Sequence, residues 1–127
     1  MRWMLRLWPL LLRVERVRRG GHWELIRLVP DEEGLAVQRE DGPPVRTFRW
    51  NEVAEIWTFK LDCFVVDDIR LAFRVADGWW YEFSEDGEGF FDLRQKIEAV
   101  FAEIPEDWYG TVMQPPFARN GRRLYPR

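Results

Sequence analysis

The sequence predicts an α+β fold, in which an antiparallel, strongly bent sheet or partial barrel of about six or seven strands is closed by one C-terminal amphipathic helix. Three observations support this class. Strand patterns follow one another between residues 23 and 83, short turn-rich connections separate them, and one strongly one-sided helix pattern comes afterwards. Short connections favour antiparallel pairing, and a one-sided helix must bury its apolar face against the sheet.

Apolar and polar residues alternate, or apolar runs of strand length recur, in six segments of the chain. Turn-forming sequences rich in Gly, Pro and Asp separate these segments, and the Pro43-Pro44 pair is confined to a turn because proline cannot sit in a central strand. Strands are therefore predicted over Trp23–Val29, Leu35–Arg39, Val45–Trp50, Val53–Leu61, Ile69–Val75 and Trp79–Phe83.

The last two strands form a hairpin whose register follows from parity, since directly opposed residues share a face. A two-residue loop would oppose Phe73 to Glu82, whereas a loop over 76–78 with Gly78 in the left-handed region keeps Glu82 and Ser84 on the other face. The longer loop places three apolar pairs opposite one another: Val75 with Trp79, Phe73 with Tyr81, and Leu71 with Phe83.

A helix is predicted next, capped near its start by Asp86 or a neighbour and ended by Pro105. Its apolar residues recur at spacings of three and four, which places them on a single buried stripe. The stripe consists of Phe90, Leu93, Ile97, Val100, Phe101 and Ile104.

The length of 127 residues and the hydrophobic content of 46% predict one domain with its own core. We divide it into an N-terminal arm (1–19), a core of sheet and helix (23–104) and an extended tail (105–127) packed on that core. The single cysteine, Cys63, excludes an internal disulfide and is typical of a reducing, cytoplasmic compartment.

The arm is rich in arginine and tryptophan. Arg6 and Pro9 interrupt its apolar run, which argues against a signal peptide, and the arm is too short and too charged to span a bilayer. An interfacial helix on anionic lipid is one interpretation. The favoured interpretation is a structural arm that packs apolar side chains on the body, namely Trp3, Leu7, Trp8 and Leu11.

The residues that catalysis or metal binding would require are scarce. The chain has one serine (Ser84), one cysteine and one histidine (His22), and nothing in the sequence brings them together as nucleophile and base. Turn formation and helix-dipole compensation account for the carboxylate clusters, whose spacing fits no calcium loop. We therefore predict no enzymatic activity, no metal and no cofactor.

Charge is distributed unevenly along the chain. Residues 1–27 carry net +5 and residues 119–127 carry net +4, so a total of −3 leaves −12 on residues 28–118. An acidic body excludes nucleic acid as a partner across its face and suits a basic protein. The hairpin is expected to bring two groups of exposed carboxylates to one end, where they would bind that partner: Asp62, Asp67 and Asp68, with Glu85, Asp86 and Glu88.

The pattern Phe48-x-Trp50-x-x-Val53-x-x-Ile56, within a meander that precedes one helix, resembles the pleckstrin-homology-like fold of small bacterial proteins. The resemblance covers Trp23 to Ile104. It implies a binding scaffold with seven strands, one of them supplied by the arm or the tail. The acidic turn Pro30–Gly34 stands where some members carry a basic phosphoinositide loop, so no ligand residues are carried over.

The predicted function is a non-catalytic protein-binding module. Its most concrete form is a bacterial immunity protein that masks a cognate toxin. The alternative is a membrane-surface adaptor that uses the arginine- and tryptophan-rich arm.

Overall fold

A computed structural model describes the backbone of residues 11–13, 16–19, 22–62, 67–114 and 121–127, and the side chains of 26–60, 68–114 and 121–127. Within these ranges the strands are β1 (Leu11–Arg13), β2 (Arg16–Arg19), β3 (His22–Pro30), β4 (Gly34–Arg39), β5 (Val45–Arg49), β6 (Val53–Asp62), β7 (Asp67–Val75), β8 (Trp80–Ser84) and β9 (Arg122–Tyr125), and the helices are α1 (Phe90–Val100) and α2 (Trp108–Val112).

The strands form a five-stranded sheet in the order β1-β8-β7-β6-β9 and a four-stranded sheet in the order β2-β3-β4-β5. All pairs are antiparallel except β1 with β8. The predicted α+β class is confirmed, and each of the six predicted strands is present. Among the described strands none pairs across the two sheets, so the partial barrel is not confirmed.

The arm and the tail contribute three further strands. Residues 11–13 and 16–19 of the arm pair with β8 and β3, so this part of the arm is strand rather than interfacial helix. The predicted packing of Trp3, Leu7 and Trp8 lies outside the described residues. The tail was predicted to be extended, and β9 is, but residues 108–112 instead form α2.

The predicted hairpin register is confirmed. Leu71 lies opposite Phe83, Phe73 lies opposite Tyr81, and Gly78 has a φ of 91°. Two predictions about exposure are wrong: Trp79 is 48% exposed, whereas Glu82 on the opposite face is completely buried. Strand alternation assigns a residue to a face but does not say whether that face is covered, and this sheet is buried on both faces.

Helix α1 ends earlier than predicted, at Val100 rather than before Pro105. Phe101 leaves the helix in an extended conformation and places its ring 6.0 Å from that of Trp50 and 4.6 Å from that of Tyr125. Phe101 and Ile104 are thus buried through a turn, and Val100, predicted to be in the stripe, is exposed.

The helix begins at a glycine without a side-chain cap, instead of the predicted cap by Asp86 or a neighbour. Gly89 occupies the N-cap position with a φ of 88°. A Cβ atom at Gly89 would lie 2.2 Å from the carbonyl oxygen of Leu28, and the Leu28 N–H donates to the Glu88 carbonyl oxygen at 2.9 Å. The turn before α1 is therefore pressed directly against the backbone of β3.

One hydrophobic cluster joins both sheets and both helices. It contains residues from the inner face of the five-stranded sheet, from β3 to β5 and from the helices and tail. Its buried members include Leu28, Leu35, Phe48, Ile56, Leu71, Phe73, Phe83, Leu93, Ile97, Trp108 and Leu124.

Candidate functional site

The strand register brings the two predicted acidic groups to one end of the five-stranded sheet. Asp62 lies opposite Asp67 where β6 meets β7, and Arg70 lies opposite Ser84 where β8 ends. The Gly78 turn lies at the other end of the same strands. The predicted grouping of these segments is therefore present in the backbone; the side chains of Asp62 and Asp67 lie outside the described residues.

Asp68 does not have the predicted exposed side chain. It is 5% exposed and accepts hydrogen bonds from Arg70 Nε at 2.7 Å and from Ser84 Oγ at 2.6 Å. Arg70 Nη1 also lies 3.6 Å from Glu82 Oε2, and all four side chains are buried. Breaking such a buried ion pair costs about 3–5 kcal/mol because it strands a charge. Asp68 is thus a structural residue of the outer sheet face.

The single serine of the chain, Ser84, is hydrogen-bonded within the same cluster. The Ser84 hydroxyl donates to Asp68 and accepts the Asp86 N–H at 3.1 Å, and the side chain is buried. Ser84 therefore joins the end of β8 to the turn before α1. The side chains of Cys63 and His22 lie outside the described residues.

Glu85 is half-buried and is held from two sides. Its Oε1 accepts the backbone N–H of Ile69 at 3.2 Å, and its Oε2 accepts the hydroxyl of Tyr109 at 2.7 Å. Burial and this bond to a carboxylate raise the pKa of Tyr109 to about 12. Glu85 therefore attaches the tail to the end of the sheet.

Two further contacts fix α2 against α1. The guanidinium of Arg94 lies 4.0 Å from the centroid of the Tyr109 ring, a cation–π distance, and 5.5 Å from that of Trp108. The indole N–H of Trp108 donates to Glu98 Oε1 at 2.9 Å. The buried Lys60 adds a bond from β6, because its Nζ donates to the Met113 carbonyl oxygen at 2.9 Å, where a cation suits the end of a helix.

Sequence reasoning missed Tyr109. The tail carries too many large apolar residues to be solvated, and that signal predicted packing on the core. It could not identify Glu85 as the partner, because a segment without periodicity has no register from which to infer contacts.

Asp86 and Glu88 match the predicted exposure. Both side chains are exposed, although Glu88 Oε1 lies 3.9 Å from Arg27 Nε. Such a surface pair is weak and is screened by salt. Of the six predicted binding residues, these two present exposed carboxylates, Glu85 presents a half-buried one, and Asp68 presents none.

Negative charge is concentrated in the segment that contains both helices. Residues 85–114 hold eight carboxylates and two basic residues, which gives net −6. Both basic residues are already ion-paired, Arg94 with Glu98 at 3.4 Å and Lys96 with Glu32 at 2.6 Å. The same segment presents three large apolar side chains, with Phe91 63%, Met113 46% and Val100 38% exposed.

The acidic turn between β3 and β4 is different. Asp31 accepts two hydrogen bonds from the Arg46 guanidinium, at 3.0 and 2.7 Å, and Glu33 lies 3.8 Å from both Arg46 and Arg49. The Arg46 hydrogen bond holds the pKa of Asp31 down at about 2. Basic residues of β5 therefore neutralise this turn locally, whereas six of the eight carboxylates of residues 85–114 lie in the turns before α1 and between the helices.

Among the described side chains, no group of three or more His, Cys, Asp or Glu residues is placed to hold a metal ion. Nor does that part of the chain contain a helix long and apolar enough to cross a membrane. No protein-family model, curated protein or solved structure matches this sequence.

Proposed function

We propose that the chain is a non-catalytic protein-binding module, and most concretely a bacterial immunity protein that masks a cognate toxin. One observation carries the proposal: residues 85–114 combine net −6 with exposed apolar side chains. An apolar centre with a polar rim is the usual anatomy of a protein interface. An excess of carboxylates suits a basic partner and would speed its association.

The pleckstrin-homology-like resemblance supports the same function, because it implies a binding scaffold. Six consecutive strands followed by a helix agree with that resemblance. The order departs from it in two places, since the arm adds two strands and the tail adds a strand after the helices. We propose a bent, barrel-like arrangement of the two sheets on this resemblance alone.

The membrane-surface alternative has weaker support. It requires the arginine-rich arm to lie on lipid, whereas residues 11–13 and 16–19 are paired with strands of the two sheets. An arm built into the sheets favours a structural role for these residues. Binding of the intact chain to anionic vesicles would reverse this preference.

The proposal is tested by association kinetics with a partner captured from native lysate and then purified. We expect the association rate constant to fall as salt is raised, because salt screens exposed charges. The double variant Asp86→Asn/Glu88→Gln should slow association by about three- to tenfold at low salt and change dissociation little. Asp68 is left intact, because its loss would test folding rather than binding.

The matched control is Glu40→Gln/Asp41→Asn, which removes two exposed carboxylates from the turn between β4 and β5. It should associate at the wild-type rate. An association rate that ignores salt in every variant, or a chain that captures no protein, would contradict the proposed function.

A further inference from the structure

We propose that the partner docks on the α1–α2 face, defined as Phe91, Arg94, Tyr109, Gly110 and Met113, through a basic segment that carries an apolar side chain. The inference rests on the proposed function, because it names the surface and the kind of partner for a protein-binding module.

The α1–α2 face is continuous across the two helices. Phe91 precedes Arg94 by three positions in α1, so the two lie on neighbouring positions of one helix face. Arg94 lies over the Tyr109 ring at 4.0 Å, and Met113 follows Tyr109 by four positions at the end of α2. The two most exposed apolar side chains of the helices thus flank one stacked pair.

The α1–α2 face is also held rigid before any partner binds. Tyr109 is bonded to Glu85, Trp108 to Glu98 and the Met113 carbonyl to Lys60, so three bonds fix α2 on the rest of the protein. A face ordered in advance loses little conformational entropy on binding. This rigidity favours docking of the basic segment without rearrangement of the helices.

A shallow depression lies beside Gly110 of the α1–α2 face. Asp107, Gly110, Thr111 and Gln114 line it. The space at Gly110 is open, since a Cβ atom there would meet nothing within 4 Å. With a carboxylate on its rim, the depression suits a basic side chain of a partner whose apolar side chain covers Phe91.

Charge complementarity selects the occupant. Arg94, the one charged residue of the α1–α2 face, is already paired with Glu98. The carboxylates of the turns before α1 and between the helices give residues 85–114 a net charge of −6, which would repel nucleic acid, anionic lipid and the same face of a second copy of this chain. Val45 is as exposed as Phe91, at 65%, but it adjoins Arg46 on a strand whose charges are already matched. The α1–α2 face therefore fits a basic protein segment, and Val45 provides a control position.

The test uses fluorescence polarisation with peptides of about 15 residues, a length that spans such a face. One peptide set combines arginine and lysine with a leucine or phenylalanine, a second lacks the apolar residue, and a third replaces the basic residues by glutamate. We expect the first set to bind best. Phe91→Ser should weaken that binding at least about tenfold, and Val45→Ser should leave it unchanged. Both positions are exposed, so both variants should fold.

Carbodiimide coupling gives a second measurement, since it joins a lysine of the peptide to a carboxylate that it touches. Coupled products should map to residues 85–114 and not to the turn at 31–33. Equal effects of Phe91→Ser and Val45→Ser, equal binding of the peptides without an apolar residue, or coupling elsewhere would overturn the inference. A captured protein partner that binds both serine variants equally would refute the α1–α2 face and leave the proposed function standing.

Discussion

Replacing Gly89 by alanine should be among the most destabilising single changes in the protein. Two costs coincide at this position. The φ of 88° is unfavourable for a residue with a Cβ atom, at about 1–2 kcal/mol. The new Cβ would also lie 2.2 Å from the Leu28 carbonyl oxygen, a backbone atom that cannot rotate away. Separating them strains the packed turn by about 1–3 kcal/mol.

The same displacement weakens the 2.9 Å bond from the Leu28 N–H to the Glu88 carbonyl, whose net contribution is about 1 kcal/mol. We therefore expect Gly89→Ala to lower the free energy of unfolding by about 3–5 kcal/mol. Urea unfolding followed by tryptophan fluorescence measures this loss, since the chain has eight tryptophans.

Two glycines separate these costs. Gly78 has a φ of 91° but open space around its Cα, so Gly78→Ala should cost only about 1–2 kcal/mol. Gly42 has open space and no positive φ, and Gly42→Ala should stay within about 0.5 kcal/mol. If Gly89→Ala cost no more than Gly78→Ala, the contact with Leu28 would not be a steric constraint and the reasoning would fail.

Three further outcomes are expected. Phe101→Ala should lower the free energy of unfolding in urea by about 3–5 kcal/mol, because its ring is buried between Trp50 and Tyr125. Val100→Ala, at an exposed position, should change it by less than about 0.5 kcal/mol. Equal losses in the two variants would mean that α1 continues through Phe101. In an absorbance titration, one tyrosine transition should lie at about pH 12 and vanish in Tyr109→Phe. The stability that the neutral phenol provides should be complete below pH 10 and lost as pH rises through about 12. If the transition that vanishes in Tyr109→Phe lay at pH 10 instead, it would contradict the bond to Glu85. Asp31→Asn should lower the urea midpoint of unfolding near neutral pH. The difference between the wild-type and variant midpoints should disappear as pH falls from 3.8 to about 2, because the lowered pKa stabilises the fold only while Asp31 is ionised. A difference that persists at about pH 2 would exclude the ion pair as its cause.

Strands with a clear local pattern could be predicted from the sequence alone. Alternation located β3 to β8, and parity gave the β7–β8 register, because both depend on neighbouring residues alone. Burial of the second sheet face could not be read this way. Asp68 and Glu82 are polar positions of alternating strands, a pattern typical of a solvent-exposed face. They are buried only because the folded protein covers that face.

The ends of the helices could not be predicted from the sequence either. Phe101 and Ile104 continue the spacing of the α1 stripe, yet they reach the core through a turn, so periodicity alone overextended the helix. The candidate binding face was partly predictable, since the excess of carboxylates is visible in the sequence. The Tyr109–Glu85 contact that completes it joins positions 24 residues apart and has no local signature.

The positions of β1 and β9 bear on how the chain folds. These strands come from opposite ends of the described chain, yet they form the two outer edges of the same sheet around the β6–β8 meander. The meander can form from nearby residues, but each edge must close a loop of more than sixty residues. Such distant pairings slow folding, because chain entropy is lost before the contacts form. During synthesis the sheet cannot gain its final strand until Leu124 has been added, so the β6 edge stays open to unwanted pairing until then.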